Sequence, residues 1–315
     1  MIPNPKSLFT GHKTAIGLPR WVADSCSEDI ESATFSAGAA LMKLDMMLRG
    51  ADDLFPTALL CDRLALRSAL ACLAIEGRAE TDSAVRDAVC LTRDGDGLGP
   101  AGDAFAFWRR TARLDLRSSD WAERLMRLLP ERQRQTIGIA DLTNGMSGSP
   151  LSQAVAVLEQ ALRASPRQEA LALLLADCAL ARGLGWARPV PLVAPHLTRR
   201  ALRSVARGEG GALHIVCNAL VAASNAALGL GAQLHRDAGK LHAIQPKLRS
   251  KAATQALTVF LTCDAVSPSG MLSPVIQGTA TAMSDRAARR LCDRLVDLGA
   301  VRELTGRPSF RLYGL

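Results

Sequence analysis

Four arginines close to the C-terminus, Arg286, Arg289, Arg290 and Arg294, recur at intervals of three and four residues. On a helix that spacing gathers side chains onto one face. A planar guanidinium pairs two-pronged with phosphate oxygens or with a guanine edge. Three more arginines follow: Arg302, Arg307 and Arg311. They lie in and around two short runs, Val301–Thr305 and Ser309–Tyr313, separated by Gly306-Arg307-Pro308, which is the pattern of a hairpin. From Ser284 onward, seven arginines face four carboxylates. The chemistry this suits is the recognition of a polyanion.

Further basic residues lie upstream. Arg199, Arg203 and Arg207 stand four apart, with Arg200 beside them. Like charges at that spacing repel, so the face is more easily understood opposite an anion or an acidic partner; the alternative is a solvated surface. Lys247 and Lys251 belong to a second short basic run and are expected, with Arg199, Arg200 and Arg203, to hold a phosphate backbone. The net charge of +8 is uneven, because eleven basic residues between Arg182 and Lys251 meet only Glu209 and Asp237. Such asymmetry fits a polyanionic partner.

Signals for catalysis are few. His235, His242 and Asp237 are close in sequence, but Gly239 interrupts them and the pattern suits surface or core histidines better. No H-E-x-x-H, G-x-S-x-G or phosphate-loop spacing occurs. Asp94-Gly-Asp96-Gly lacks the third acidic position and the closing glutamate of a calcium loop. None of the eight cysteines forms a C-x-x-C, so they are expected as small buried residues in a reducing compartment. No cofactor or metal is expected.

The elements that must carry these residues are helices. The chain is 48% hydrophobic but only 4% aromatic and is rich in Ala and Leu, which favours helix over strand. Helices are predicted over 27–49, 55–75, 81–91, 103–114, 119–129, 151–164, 167–182 and 198–207, from caps and apolar periodicity. Ala212 to Leu234 comes nearest to a membrane span, but polar residues interrupt it and its Ala and Gly suit close packing in a core. The N-terminus lacks the apolar stretch of a signal peptide. A cytoplasmic protein without membrane contact is therefore expected. Trp186 and Arg188 stand in a proline-braced stretch that reads as a helix connection, with a ligand or partner contact as the alternative.

Three regions are expected: a flexible arm over 1–20, a helical domain over 21–250 with a possible linker near 143–150, and a winged-helix-like domain over 251–315. In the last, Ala252 to Cys263 supplies the first helix, Met271 to Gln277 a short supporting helix that Pro274 weakens, and Ser284 caps the arginine-bearing helix. The fold class is thus mainly α, a multi-helix array followed by a winged helix-turn-helix with a small β-hairpin.

The run MSDRAARRLCDRLVDLGAVRELTGRPSFRLYGL, from Met283 to Leu315, resembles the C-terminal signature of the bacterial family known as domain of unknown function 1403. Similar stretches upstream include Ala84-Val-Arg-Asp-Ala88, Gly99-Pro-Ala-Gly102 and LLADCALARGLGWARPVPL from Leu174 to Leu192, so the resemblance spans most of the chain. It implies an extent and a fold but no activity. Three functions are weighed. The leading one is a double-stranded DNA-binding protein, regulatory or a plasmid-type accessory factor. The second is a module that binds a protein partner or forms a homodimer through the same segment. The third is an enzyme whose pocket gathers His235, His242 and Asp237.

Overall fold

The computed structural model describes residues 17–23, 29–50, 54–93, 95–129, 134, 147–248 and 250–315. Most of the expected arm, Asp94, Arg249 and residues 143–146 of the expected linker lie outside them. The chain is mainly helical, with a small antiparallel β element at its C-terminal end.

A four-residue turn of helix, α1 (Arg20–Ala23), leads to α2 (Ile30–Arg49), where Asp29 accepts the amide of Ser32 at 2.8 Å as the N-cap. Helix α2 buries Ala33, Ala37, Ala40, Leu41 and Leu44, one stripe at helical spacing. Helices α3 (Thr57–Ile75), α4 (Asp82–Cys90, capped by Thr81), α5 (Gly99–Thr111) and α6 (Trp121–Leu128) follow. Helix α5 starts earlier than the sequence pattern suggests, because Pro100 sits in its first turn, where no amide is needed.

Helix α7 (Pro150–Ala164) packs along α8 (Glu169–Gly183). Every residue of α8 from Leu171 to Ala181 is buried, so it has no apolar stripe and forms the inner helix of the core. Its one charged residue in that run, Asp177, accepts the amides of Leu192 and Val193 at 3.1 and 3.3 Å. Burial pushes its carboxyl well above the ordinary value, and the two amide bonds only partly oppose this.

Helix α9 (Arg199–Arg207) precedes α10 (Ala212–Ile244), which has 33 residues. By length and composition α10 could cross a membrane; in this fold α2, α3 and α7 pack against it. The approach of α2 is close. A Cβ on Gly231 would stand 2.7 Å from the Met47 sulfur, so the end of the Met47 side chain packs into the space this glycine leaves.

The last stretch begins with α11 (Lys251–Phe260). A supporting helix at 271–277 does not form. A single π-helical turn spans Pro268–Leu272 instead, followed by an isolated bridge between Val275 and Ala282. Pro274 has no amide to donate and holds Ser273 in extended backbone, φ −132° and ψ 144°. Helix α12 (Asp285–Asp297) then starts at Ser284, whose hydroxyl accepts the Ala287 amide. Strands β1 (Arg302–Glu303) and β2 (Tyr313–Gly314) pair antiparallel, Glu303 opposite Tyr313. This ladder is shorter than the expected hairpin and sits later in its second arm. Tyr313 also bridges to Val266, so the order across the element is Val266, Tyr313, Glu303.

Candidate functional site

Helix α12 buries Ala288, Leu291, Cys292 and Leu295. Its opposite face carries Arg286, Arg290 and Arg294, all exposed and without an ion-pair partner among the described residues. Arg289 is exposed as well, but Asp285 one turn away holds it at 2.8 Å. Asp293 and Asp297 share this exposed side, so the face is cationic with acids interleaved. The Tyr313 hydroxyl reaches toward Asp293 across 3.5 Å, at the outer limit of a hydrogen bond.

The turn between β1 and β2 is built by Glu303. Its carboxylate accepts the amides of Thr305 and Gly306, each at 2.7 Å, and the Thr305 hydroxyl. Burial works against this charge, and these bonds outweigh it, so the carboxyl falls below its usual value. Arg302 and Arg311 are exposed. Arg307 has a different position from the one its sequence context suggested. It forms a two-pronged pair with Asp87 on α4, at 2.6 and 2.7 Å, and donates to the Phe310 carbonyl at 2.8 Å. The turn is therefore pinned to the helical body. Phe310 sits at its tip, 73% exposed, with φ at +52°. Sequence reading passed over Phe310, and an aromatic next to the Gly-Arg-Pro turn was the only available sign.

A buried charge cluster fastens this unit. Asp264, just after α11, receives Arg63 of α3 and Arg86 of α4, the latter at 2.6 Å. Its own amide donates to Asp62 at 2.8 Å, and Asp62 receives Arg109 of α5 at 2.7 Å. Arg63 also donates to the Leu315 carbonyl at 2.8 Å. Burial draws Arg63 down from the usual arginine value; for Arg86 burial acts likewise, but its bonds to Asp264 outweigh it. The fit is tight here, since a Cβ on Gly314 would lie 2.7 Å from the Asp264 carbonyl oxygen.

The remaining basic residues divide. Arg199, Arg200 and Arg203 are exposed on α9, before α10 begins; Lys247 and Lys251 are exposed after α10 ends. An α-helix of 33 residues is about 50 Å long, so the two groups occupy opposite ends of α10 and do not form one local patch. His235, His242 and Asp237 are not brought into a common pocket either. His235 stacks on Phe55 and Asp237 is bridged by Lys240.

A mainly helical body carrying a C-terminal helix and a small antiparallel β element defines the architectural class. A family model described as a protein of unknown function, DUF1403, matches residues 6–315, and the chain belongs to that family. No curated protein matches it.

Proposed function

We propose that the protein binds double-stranded DNA through a winged helix-turn-helix formed by 251–315. The observation that carries this reading is the placement of Arg286, Arg290 and Arg294, unpaired and exposed, on a capped helix leading directly into the Val266, Tyr313, Glu303 β element. In a winged helix the second helix of the motif enters the major groove. Here that is α12, with Arg286, Arg290 and Arg294 toward the bases and Arg289 held back by Asp285. Arg302 and Arg311 flank the wing, and Phe310 at its tip suits an apolar contact in the neighbouring minor groove. Arg307 sets the wing's position through Asp87. Lys247, ahead of α11, and Lys251, its first residue, contact backbone.

Binding of mixed duplex DNA over a salt series tests this. Removing one phosphate-binding cation flattens the slope of log K against log salt by about one. An Arg286→Ala, Arg290→Ala, Arg294→Ala variant should bind weakly and with a flatter slope. Absence of binding by the folded protein at low salt would overturn the reading.

A second reading, a protein partner or a second copy of this chain, is favoured by one observation. Trp21 stacks on Phe35, and Phe35, Met42 and Met46 are 66%, 62% and 59% exposed along α2. Exposed apolar residues contiguous on a helix suit protein contact. Sedimentation analysis that shows a stoichiometric complex and no DNA binding would select this reading.

A further inference from the structure

Between the helical body and the C-terminal segment lies a cavity of about 870 Å³. That volume is within the range of small-ligand sites. Its walls are drawn from the end of α2 and start of α3, the end of α5 and the turn after it, the Gly185–Arg188 loop, α11, and residues 277–279. It lies apart from the arginine face of α12, none of whose residues lines it.

The charge of this cavity is one-sided. Five arginines line it, Arg49, Arg109, Arg113, Arg117 and Arg188, against a single carboxylate, Asp62. Asp62 is already committed to Arg109 and to the Asp264 amide, with Arg113 more distant at 3.8 Å. Arg49 is held by Asp45 and the Leu184 carbonyl. Arg117 and Arg188 have no acidic partner among the described residues. Two guanidinium groups without counter-charges, beside three that share two carboxylates, suit a ligand that supplies negative charge.

The lining also has an apolar side. Trp186 is buried, its indole N–H donates to Asp45 at 2.7 Å, and Val190, Ala112 and Val259 line the same cavity.

We propose that the cavity binds a small organic anion with an apolar body. Its phosphate or carboxylate group is received by Arg113, Arg117 and Arg188, and its apolar part lies against Trp186. Phosphate and carboxylate share the chemistry that arginine forks recognise, and the site is independent of DNA binding.

Isothermal titration of the full chain with 1-naphthyl phosphate and with naphthalene-1,4-dicarboxylate separates the two sources, with neutral 1-naphthol as the control. The expected result is saturable binding of at least one anion. In an Arg113→Gln, Arg188→Gln variant that affinity should fall at least tenfold, whereas in Arg286→Gln, Arg290→Gln it should be unchanged. Arg117→Gln, a single exposed change, gives a second reading of the same effect should the double variant fail to fold. The proposal is overturned if neither anion binds the folded wild type, if naphthol binds as tightly, or if the loss is equal in the α12 variant. Undiminished binding in both cavity variants would overturn it as well.

Discussion

Arg86 reaches the Asp264 carboxylate at 2.6 Å, although 178 residues separate the two. With Arg63 on the other side, Asp264 is an anion buried to 1% exposure between two cations. The two guanidiniums would repel each other without it.

Removing that carboxylate should therefore cost far more than removing a surface charge. Breaking a buried pair from one side typically destabilises by about 3–5 kcal/mol. Asp264→Ala should lower stability on that scale in urea unfolding. The wild type should unfold in one transition by far-ultraviolet circular dichroism and by tryptophan fluorescence, because the same residue joins α3, α4 and the C-terminal segment. A decrease below about 1 kcal/mol would mean that the cluster is solvated.

Gly314 offers a test by sterics alone. Overpacking a tight core costs about 1–3 kcal/mol, and a Cβ at Gly314 meets backbone rather than a movable side chain. Gly314→Ala should lower the melting temperature by several degrees, while Gly229→Ala, where nothing lies within 4 Å, should leave it unchanged or raise it.

Asp177 makes stability depend on pH in a direction opposite to that of a salt-bridged carboxylate. Its folded value is raised, so the folded chain keeps a proton that the unfolded chain releases near pH 4. This contribution is complete below pH 4 and is lost as pH rises toward the folded value, with a limiting slope of about 1.4 kcal/mol per pH unit. Asp177→Asn should gain on the wild type as pH rises from 4. Parallel stability curves for the two proteins would refute the shift.

Thiol chemistry should be slow in the folded protein. Burial pushes Cys61 up to about 11, and Cys72, Cys90 and Cys292 up to about 12. At pH 8 a thiol of value 11 is about one part in a thousand thiolate, against about a quarter for the ordinary value. Iodoacetamide should label these four only after denaturation, as read by mass spectrometry of the digested chain. Cys61 is only partly buried and lines the cavity, so its rapid labelling in the native chain would contradict the raised thiol value.

Arg307 and Arg290 should behave differently on DNA if the helix–hairpin unit is the binding surface. Arg307 is engaged by Asp87, so Arg307→Ala should loosen the turn while leaving the salt slope close to that of the wild type. Arg290→Ala should reduce the slope by about one. Equal slopes for both variants would speak against α12 as the element that meets DNA.

Much of the helical scaffold was legible because its signals are local. Thr81, Thr198 and Ser284 each cap the helix that follows where the pattern starts it, whereas α2 is capped by Asp29 rather than starting at Ser27; α2 and α12 have clear apolar stripes. Helix α8 was readable as a helix but not as the innermost one, since a contiguous apolar run does not say what surrounds it. The turn at Pro268–Leu272 replaced an expected helix because of Pro274. The Asp62, Arg63, Arg86, Arg109 and Asp264 cluster left no sign, because its members lie on four distant stretches and each looks like an ordinary surface charge. For the same reason Arg307 read as a free wing residue, when Asp87 had already engaged it.

Helix α10 also acts as a ruler. The basic segments α9 and Lys247–Lys251 adjoin its two ends in the chain, and those ends are about 50 Å apart. B-form DNA advances about 3.4 Å per base pair, so a straight duplex would need on the order of 15 base pairs to reach from one end to the other. An eight-base-pair oligonucleotide could occupy only one end at a time. The length of duplex at which affinity stops rising would then count how many ends of this rod a nucleic acid engages.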